Sequence, residues 1–184
     1  GNLAFANYFS AGIDARIAHD FNQDRKEGKI SSNSVVANKM HYVKRFFADR
    51  NYFLQNGKLS YTEVDGKIKT IDVSGFRTVI VGNIPSFASG ANPFYCADMS
   101  DKILEIVCAP NLLAFLGAIA IGNIPFLGHL YKKYFLHSYK ATSLELEVLP
   151  SEYLQLDGED LTGQGVEKVS IRYGYQVQML ALGG

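Results

Sequence analysis

The hydrophobic pattern changes period along the chain, and each change predicts an element. NLAFANYF (2–9) is apolar enough for a buried strand. In the following SAGIDARIAHDF, Ile13, Ile17 and Phe21 recur at i, i+4 and i+8. That spacing makes one face of a helix, with Ser10 placed to cap it and Gly28 to stop it. Val36, Met40, Val43 and Phe47, at spacings of four, three and four, predict a second helix behind the cluster Ser31-Ser32-Asn33-Ser34.

From Lys58 the period falls to two. KLSYTEV places Leu59, Tyr61 and, after a slip, Val64 on one side, and KIKTIDV answers with Ile68, Ile71 and Val73. Asp65-Gly66 between them predicts a hairpin with a type I′ turn, which needs positive φ at both central residues. RTVIVGNI (77–84) is β-branched and dense enough for a strand covered on both faces. ILEIVCA (103–109) is another strand. The intervening PSFASGANPFYCADMS (85–100) has no periodicity and reads as a long loop, a class of segment that often carries function. Pro110-Asn111 ends the strand, LLAFLGAIAI (112–121) predicts a buried helix, and Gly122 to Gly128 a loop. SLELEVL (143–149), YLQL (153–156), VEKVSIRY (166–173) and YQVQMLAL (175–182) read as strands. The expected fold is α+β, mainly β, in one domain over 1–184. It is an antiparallel β-sandwich with two inserted helices near the N-terminus and a short buried helix.

Composition bears on function. Hydrophobic residues at 47% and charged residues at 20% suffice for an ordinary core. Lys+Arg and Asp+Glu balance at 18 each, so no global field favours nucleic acid. The Lys39, Lys44, Arg45 cluster and the Lys132-Lys133 pair, between Tyr131 and Tyr134, are expected on solvated faces, with anionic lipid headgroups the alternative. Cys96 and Cys108 form no disulfide framework or zinc site, Cys108 reads as a buried small residue, and this usage favours an intracellular chain. The longest apolar run is about half of what a bilayer-spanning helix needs. A start methionine and a signal peptide are both missing, and Gly1 reads as a cloning remnant.

Phosphate-cradling glycine loops are not found, and His19, His41, His129 and His137 have no metal-ligand spacing. His19 is expected at a surface or boundary. A self-sufficient nucleotide enzyme is therefore not expected. Two acidic constellations remain. Asp98-Met-Ser-Asp101, two carboxylates three apart in irregular backbone with a free carbonyl shortly after, suits a hard cation that takes oxygen ligands. The alternative is a loop whose aspartates cap local amides. In YLQLDGEDL (153–161), Asp157, Glu159 and Asp160 crowd around Gly158 without a compensating cation, and the next strand is expected only near Val166. Mutual repulsion there is expected to raise the carboxylate pKa values, which suits a proton acceptor or a magnesium contact. An ordinary hairpin turn is the alternative.

NYFSAGIDARIAHDF (7–21) closely resembles the opening of the accessory domain of diacylglycerol kinases, where an N-Y-F-S strand leads to G-x-D-A and a helix with Ala-His. GNIPSFASGANP (82–93) resembles that family's N-I-P-S…G-G-x-N stretch, and LQLDGE (154–159) its Q-x-D-G-E. The three occur in the family's order and span nearly the whole chain. The wider group includes sphingosine kinases and bacterial lipid kinases, whose G-x-H pattern 125–147 resembles. The resemblance implies a β-sandwich and ATP-dependent phosphorylation of a lipid hydroxyl, on diacylglycerol or a sphingoid base. It also implies a separate N-terminal nucleotide-binding kinase domain with a G-G-D-G-T motif that this chain lacks. Cytoplasmic location with peripheral membrane contact follows from the same resemblance. By position, Asp157 matches the general base and Glu159 its acidic partner. Asp98, Asp101 and the Ile103 carbonyl match a metal site of the bacterial members, except that Lys102 stands where the pattern has Gly. A non-catalytic lipid-binding or regulatory module is the competing reading, and a G-G-D-G-T upstream of Gly1 would decide between them. An unrelated β-sandwich interaction domain would require three ordered matches to be accidental.

Overall fold

The computed structural model describes residues 7–29, 44–85, 87, 91–94 and 97–174. Their elements, in order, are β1 (Tyr8–Gly12), α1 (Ile13–Lys26), β2 (Lys58–Thr62), β3 (Ile68–Asp72), β4 (Thr78–Gly82) and β5 (Leu104–Ala109), then α2 (Leu112–Ile121), α3 (Leu127–Phe135), β6 (His137–Ala141), β7 (Ser143–Glu147), β8 (Leu154–Leu156), β9 (Glu159–Asp160) and β10 (Lys168–Arg172). One sheet runs β6-β5-β4-β1-β8-β9 and the other β10-β7-β2-β3, with every ladder antiparallel. The expected sandwich is what forms.

Alternation decides which side chains fill it. Phe9, Val81 and Ile106 lie opposite one another and point, with Leu104, Cys108 and Leu154, toward Leu59, Tyr61, Leu144, Leu146 and Ile171 of the smaller sheet. Residues one step away on the same strands, Ile80 and Val107, face a second core with Ile13, Ile17, Phe46, Phe87, Phe94 and Phe115. The larger sheet is thus covered on both sides, which is why all five residues of β4 and all six of β5 are buried. Burial pushes the Cys108 thiol up to about 12, in keeping with a small apolar filler. The outer face of the smaller sheet is exposed and carries ion pairs such as Lys168–Glu145 at 2.8 Å.

Several details depart from the sequence pattern. The first strand continues through Ser10 to Gly12, so Ser10 is not a helix cap; the N-cap is Gly12, without a side-chain hydrogen bond. Gly28 does end α1, at φ 71 with its N–H on the Arg25 carbonyl. The second helix falls outside the described residues except for 44–48, where Phe46 is buried and Phe47 is exposed. Val64 is exposed in the hairpin loop 63–67, and Ile68 is exposed because it lies opposite Thr62 on the outer face, three residues from Ile71 and therefore on the other side of the sheet. α2 is buried along one face only, with Leu113 at 77% exposure. α3 and β6 were not expected, and the strand predicted at 175–182 lies outside the described residues.

Gly12 makes the turn from β1 into α1 at φ 102, with its N–H on the Tyr153 carbonyl. A Cβ there would meet the Arg77 carbonyl oxygen at 2.4 Å. Gly12→Ala is therefore expected to destabilise by at least the strain of a forbidden backbone region, about 1–3 kcal/mol. Urea unfolding checks this, and an unchanged midpoint would show that the turn adjusts.

Candidate active site at the end of β1

Two segments separated by some 145 positions meet on the helix-facing side of the larger sheet. Ser10 of β1 lies directly opposite Gln155 of β8, and both are fully buried. The Ser10 hydroxyl donates to Asp14 Oδ2 at 2.7 Å, in the first turn of α1. Gln155 Nε2 donates to Ser10 Oγ at 2.9 Å and to the same Asp14 oxygen at 3.2 Å, while Gln155 Oε1 accepts the Gly158 N–H at 2.7 Å. Asp14 is 2% exposed, and a buried carboxylate without such donors is costly.

The Gly158 bond leads into the turn. Asp157 stands at φ 50 and Gly158 at φ 89 between the paired residues Leu156 and Glu159, which is a two-residue type I′ hairpin. The other Asp-Gly is different. Asp65 keeps an ordinary φ, the Gly66 N–H bonds the Glu63 carbonyl, the Glu63 N–H bonds the Lys67 carbonyl, and Gly66 takes φ 86. That is a type I turn with a glycine bulge, so the expected type I′ turn is found at 157–158 and not at 65–66. Lys67 Nζ does compensate Asp65, at 2.6 Å. The strand after the acidic turn also begins at once, at Glu159, not near Val166.

Asp157 is exposed and held by the start of β1. Its Oδ1 accepts the N–H groups of Asn7 and Tyr8 at 2.9 and 2.8 Å, and its own N–H donates to the Tyr8 carbonyl at 2.9 Å. The Tyr8 phenol is raised far above its ordinary value by burial first and then by the charge of Asp14, against a hydrogen bond from Gln155, with Asp157 adding to the rise. It remains a neutral phenol beside two carboxylates. Its ring packs 4.5 Å from Phe87, and Tyr8 pairs with Gly82 of β4, so Gly82 and Phe87 join the same corner.

The acidic cluster is divided. Glu159 is exposed and shares the face of Leu156, whereas Asp160 shares that of Gln155 and reaches α1. There His19 Nδ1 and Asp160 Oδ2 lie 2.6 Å apart. Burial pushes the Asp160 carboxyl up, but hydrogen bonds from Thr162 and from His19 outweigh it and leave it below its ordinary value. The expected upward shift from uncompensated crowding is overturned here, because Thr162 and then His19 supply the compensating hydrogen bonds. His19, Asp14, Ser10 and Gln155 were not singled out as site residues, although all four stand inside the N-Y-F-S…A-H and Q-x-D-G-E stretches.

Asp98 and Asp101 lie at the same end of the sheet. Asp157, Tyr8, Gly82 and Glu105 form one row, which puts Glu105 three strand spacings, about 14 Å, from the acidic turn, and the loop of Asp98 and Asp101 precedes it. Asp98 Oδ1 accepts the N–H and hydroxyl of Ser100 at 2.8 and 2.7 Å, which hold its carboxyl below the usual range. Asp101 Oδ1 accepts the Ile103 N–H at 2.9 Å. Lys102 takes φ 59, the left-handed conformation that a glycine adopts without strain. No group of three or more His, Cys, Asp or Glu residues among those described is arranged to hold a metal. A separate cavity of about 270 Å³, lined by Arg16, Asp49, Tyr52 and Phe53 among others, contains none of these aspartates.

A family model for the diacylglycerol kinase accessory domain matches residues 4–160. The chain belongs to that family. Human diacylglycerol kinase kappa is 30% identical over 188 residues, covering 95% of this chain and 14% of that protein. Mouse diacylglycerol kinase iota is 26% identical over 162 residues, covering 79% of this chain and 15% of that protein. The accessory-domain chain thus spans a small part of the curated relatives it matches. A diacylglycerol kinase crystal structure from Bacillus anthracis str. Sterne aligns with a TM-score of 0.50 at 17% identity, over 91% of this chain and 50% of that one, which shows a shared fold. No helix among the described residues is long and apolar enough to cross a membrane.

The depressed Asp160 carboxyl makes a pH prediction. A group whose folded pKa lies below its unfolded value contributes stability that is present above the unfolded pKa, near 3.8, and is lost as pH falls through the folded value. Asp160→Asn should therefore be less stable than the wild type at pH 6, with the gap closing below pH of about 4. A gap of the same size at pH 6 and pH 3, by urea titration, would contradict an Asp160 carboxylate stabilised in the fold by Thr162 and His19.

Proposed function

We propose that this chain is the accessory domain of a lipid kinase that transfers the γ-phosphate of ATP to a lipid hydroxyl. Diacylglycerol is the first choice of acceptor, and a sphingoid base or other lipid alcohol the next. The single observation that supports this most is convergence: three family motifs, far apart in the sequence, meet at the end of β1 around an exposed Asp157. Asp157 is the base that accepts the hydroxyl proton. Two backbone N–H donors fix its carboxylate before substrate arrives, which is the orientation such a transfer needs. Glu159, on the other side of the hairpin, is the acidic partner facing the phosphates. ATP and its Mg2+ bind an N-terminal kinase domain of the same protein, and the reaction takes place on the cytoplasmic surface of a membrane. A second Mg2+ is assigned to Asp98, Asp101 and the Ile103 carbonyl, an all-oxygen donor set of the kind this ion takes.

The test is Asp157→Asn in the complete protein. Asparagine keeps an oxygen for the Asn7 and Tyr8 N–H groups and tolerates φ 50, so the turn should survive. Loss of the proton-accepting charge should lower the rate constant by about 10²–10⁴-fold with lipid affinity little changed. Asp65→Asn, in the turn of ordinary function, should leave the rate where it was. An undiminished rate in Asp157→Asn, or equal losses at both positions, would refute the assignment.

The metal assignment has its own measurement. Asp101→Ala removes the cap on Ile103 whatever the ion content, which gives a fixed loss of melting temperature. Magnesium should add a further stabilisation in the wild type that Asp101→Ala lacks. Equal magnesium shifts in both would reduce Asp98 and Asp101 to caps of their own loop.

A further inference from the structure

α3 is turned the wrong way round for a surface helix of a soluble domain. Leu127, Leu130, Tyr131, Tyr134 and Phe135 recur at the spacing of one helical face, the stripe that ordinarily faces a core. Here the buried positions are Gly128 and Lys132, with Leu136 at the helix end. Lys132 is 5% exposed, and its ammonium group donates to the Phe94 carbonyl at 2.7 Å. Three residues of the apolar stripe face outward, with Leu127 at 55%, Tyr134 at 70% and Phe135 at 55% exposure, while Leu130 and Tyr131 are half-buried and the Tyr131 hydroxyl donates to the Leu113 carbonyl of α2. The α2–α3 connection extends the patch through Ile124 and Phe126, and Phe126 is held at φ 65 with its ring 73% exposed. A non-glycine residue at such a φ is strained.

Residues 106–144 contain no Asp or Glu and include Lys132, Lys133 and Lys140. Lys132 is buried and Lys140 pairs with Glu105 at 3.2 Å, so Lys133 is the cation presented beside the stripe. Lys133 is exposed on the flank of the stripe, against Tyr134. An exposed Leu/Phe/Tyr stripe bordered by lysine and free of carboxylates fits an anionic lipid surface, where rings and aliphatic chains enter the headgroup boundary and the ammonium groups meet phosphates. α3 is about 13 Å long, suited to lying along such a surface. We propose that α3 and the preceding turn dock this domain on anionic membranes, with Phe126, Leu127 and Tyr134 as the inserted side chains and Lys133 beside them. The proposal deepens the lipid-kinase reading by naming the surface that meets the bilayer. Its test involves no phosphotransfer, so the two fail separately.

The experiment is co-sedimentation of the complete protein with phosphatidylcholine vesicles and with vesicles carrying phosphatidylserine. The wild type should partition to the anionic vesicles, and Leu127→Glu with Tyr134→Glu should weaken this by about tenfold or more. Because both side chains are exposed, circular dichroism and melting should match the wild type. Ile68→Glu, at an equally exposed residue on the far hairpin, should partition normally, and so should Asp157→Asn. Partitioning that survives the double substitution, or a wild-type protein that ignores both vesicle types, overturns the proposal; the latter is the result if another protein domain covers the patch.

Discussion

One buried charge organises this domain. Asp14 sits at the first turn of α1 with almost no access to water, and its donors come from the strand before it and from a strand some 140 residues later. Leaving a buried carboxylate short of donors costs at least about 1–3 kcal/mol per missing hydrogen bond, so β1, α1 and β8 have to be assembled together. Gln155 transmits that requirement outward. Its amide nitrogen serves Ser10 and Asp14, and its amide oxygen holds the Gly158 N–H. The turn that presents Asp157 is therefore fastened to the core by the same side chain that satisfies Asp14. From Asp157 the bonds return to Asn7 and Tyr8, closing a loop of polar contacts around the end of β1. Such a closed set holds an exposed carboxylate in place without burying it.

The sandwich was legible because its strands obey simple periodicities. β4 and β5 read as continuous β-branched runs and are covered on both faces, while β7 alternates and is covered on one. β6 was not legible, since HSYKA lies at a sheet edge and mixes polar groups on both faces. Ser10 was misread for a local reason: a serine shortly before an apolar-periodic run looks like a cap, yet its hydroxyl reaches Asp14 from within a strand. The two Asp-Gly turns show what dipeptide chemistry leaves undetermined. Both pairs fit a type I′ turn, and loop length decides between them: Thr62 pairs with Ile68 around a longer loop, Leu156 with Glu159 around two residues.

The site was legible as a place more than as an electrostatic environment. Asp157 stood out in the sequence, and the structure puts it where three motifs converge. Local charge counting failed at Asp160, because hydrogen bonds from Thr162 and then from His19 on α1 lower its carboxyl, and the strand register chooses Asp160 over Glu159 for that face. Charge along the chain measures crowding among neighbours. Across an antiparallel sheet the neighbours that matter are fixed by pairing, and period-2 alternation sends adjacent carboxylates to opposite faces.

Lys132 failed the same kind of expectation, and its burial joins two features that otherwise look separate. Read from sequence, Lys132-Lys133 between tyrosines belongs on a solvated face. In the fold, Lys132 points inward to the Phe94 carbonyl, which belongs to the long segment between β4 and β5, and Glu105 on β5 also feels its charge. Turning α3 about its axis to bury its apolar stripe would take a rotation of at least one residue, about 100°. That rotation would pull the ammonium group off the Phe94 carbonyl and leave a buried acceptor without its donor. The outward stripe is thus the counterpart of an inward lysine. The contact that satisfies the Phe94 carbonyl is the one that keeps Leu127, Tyr134 and Phe135 facing away from the protein.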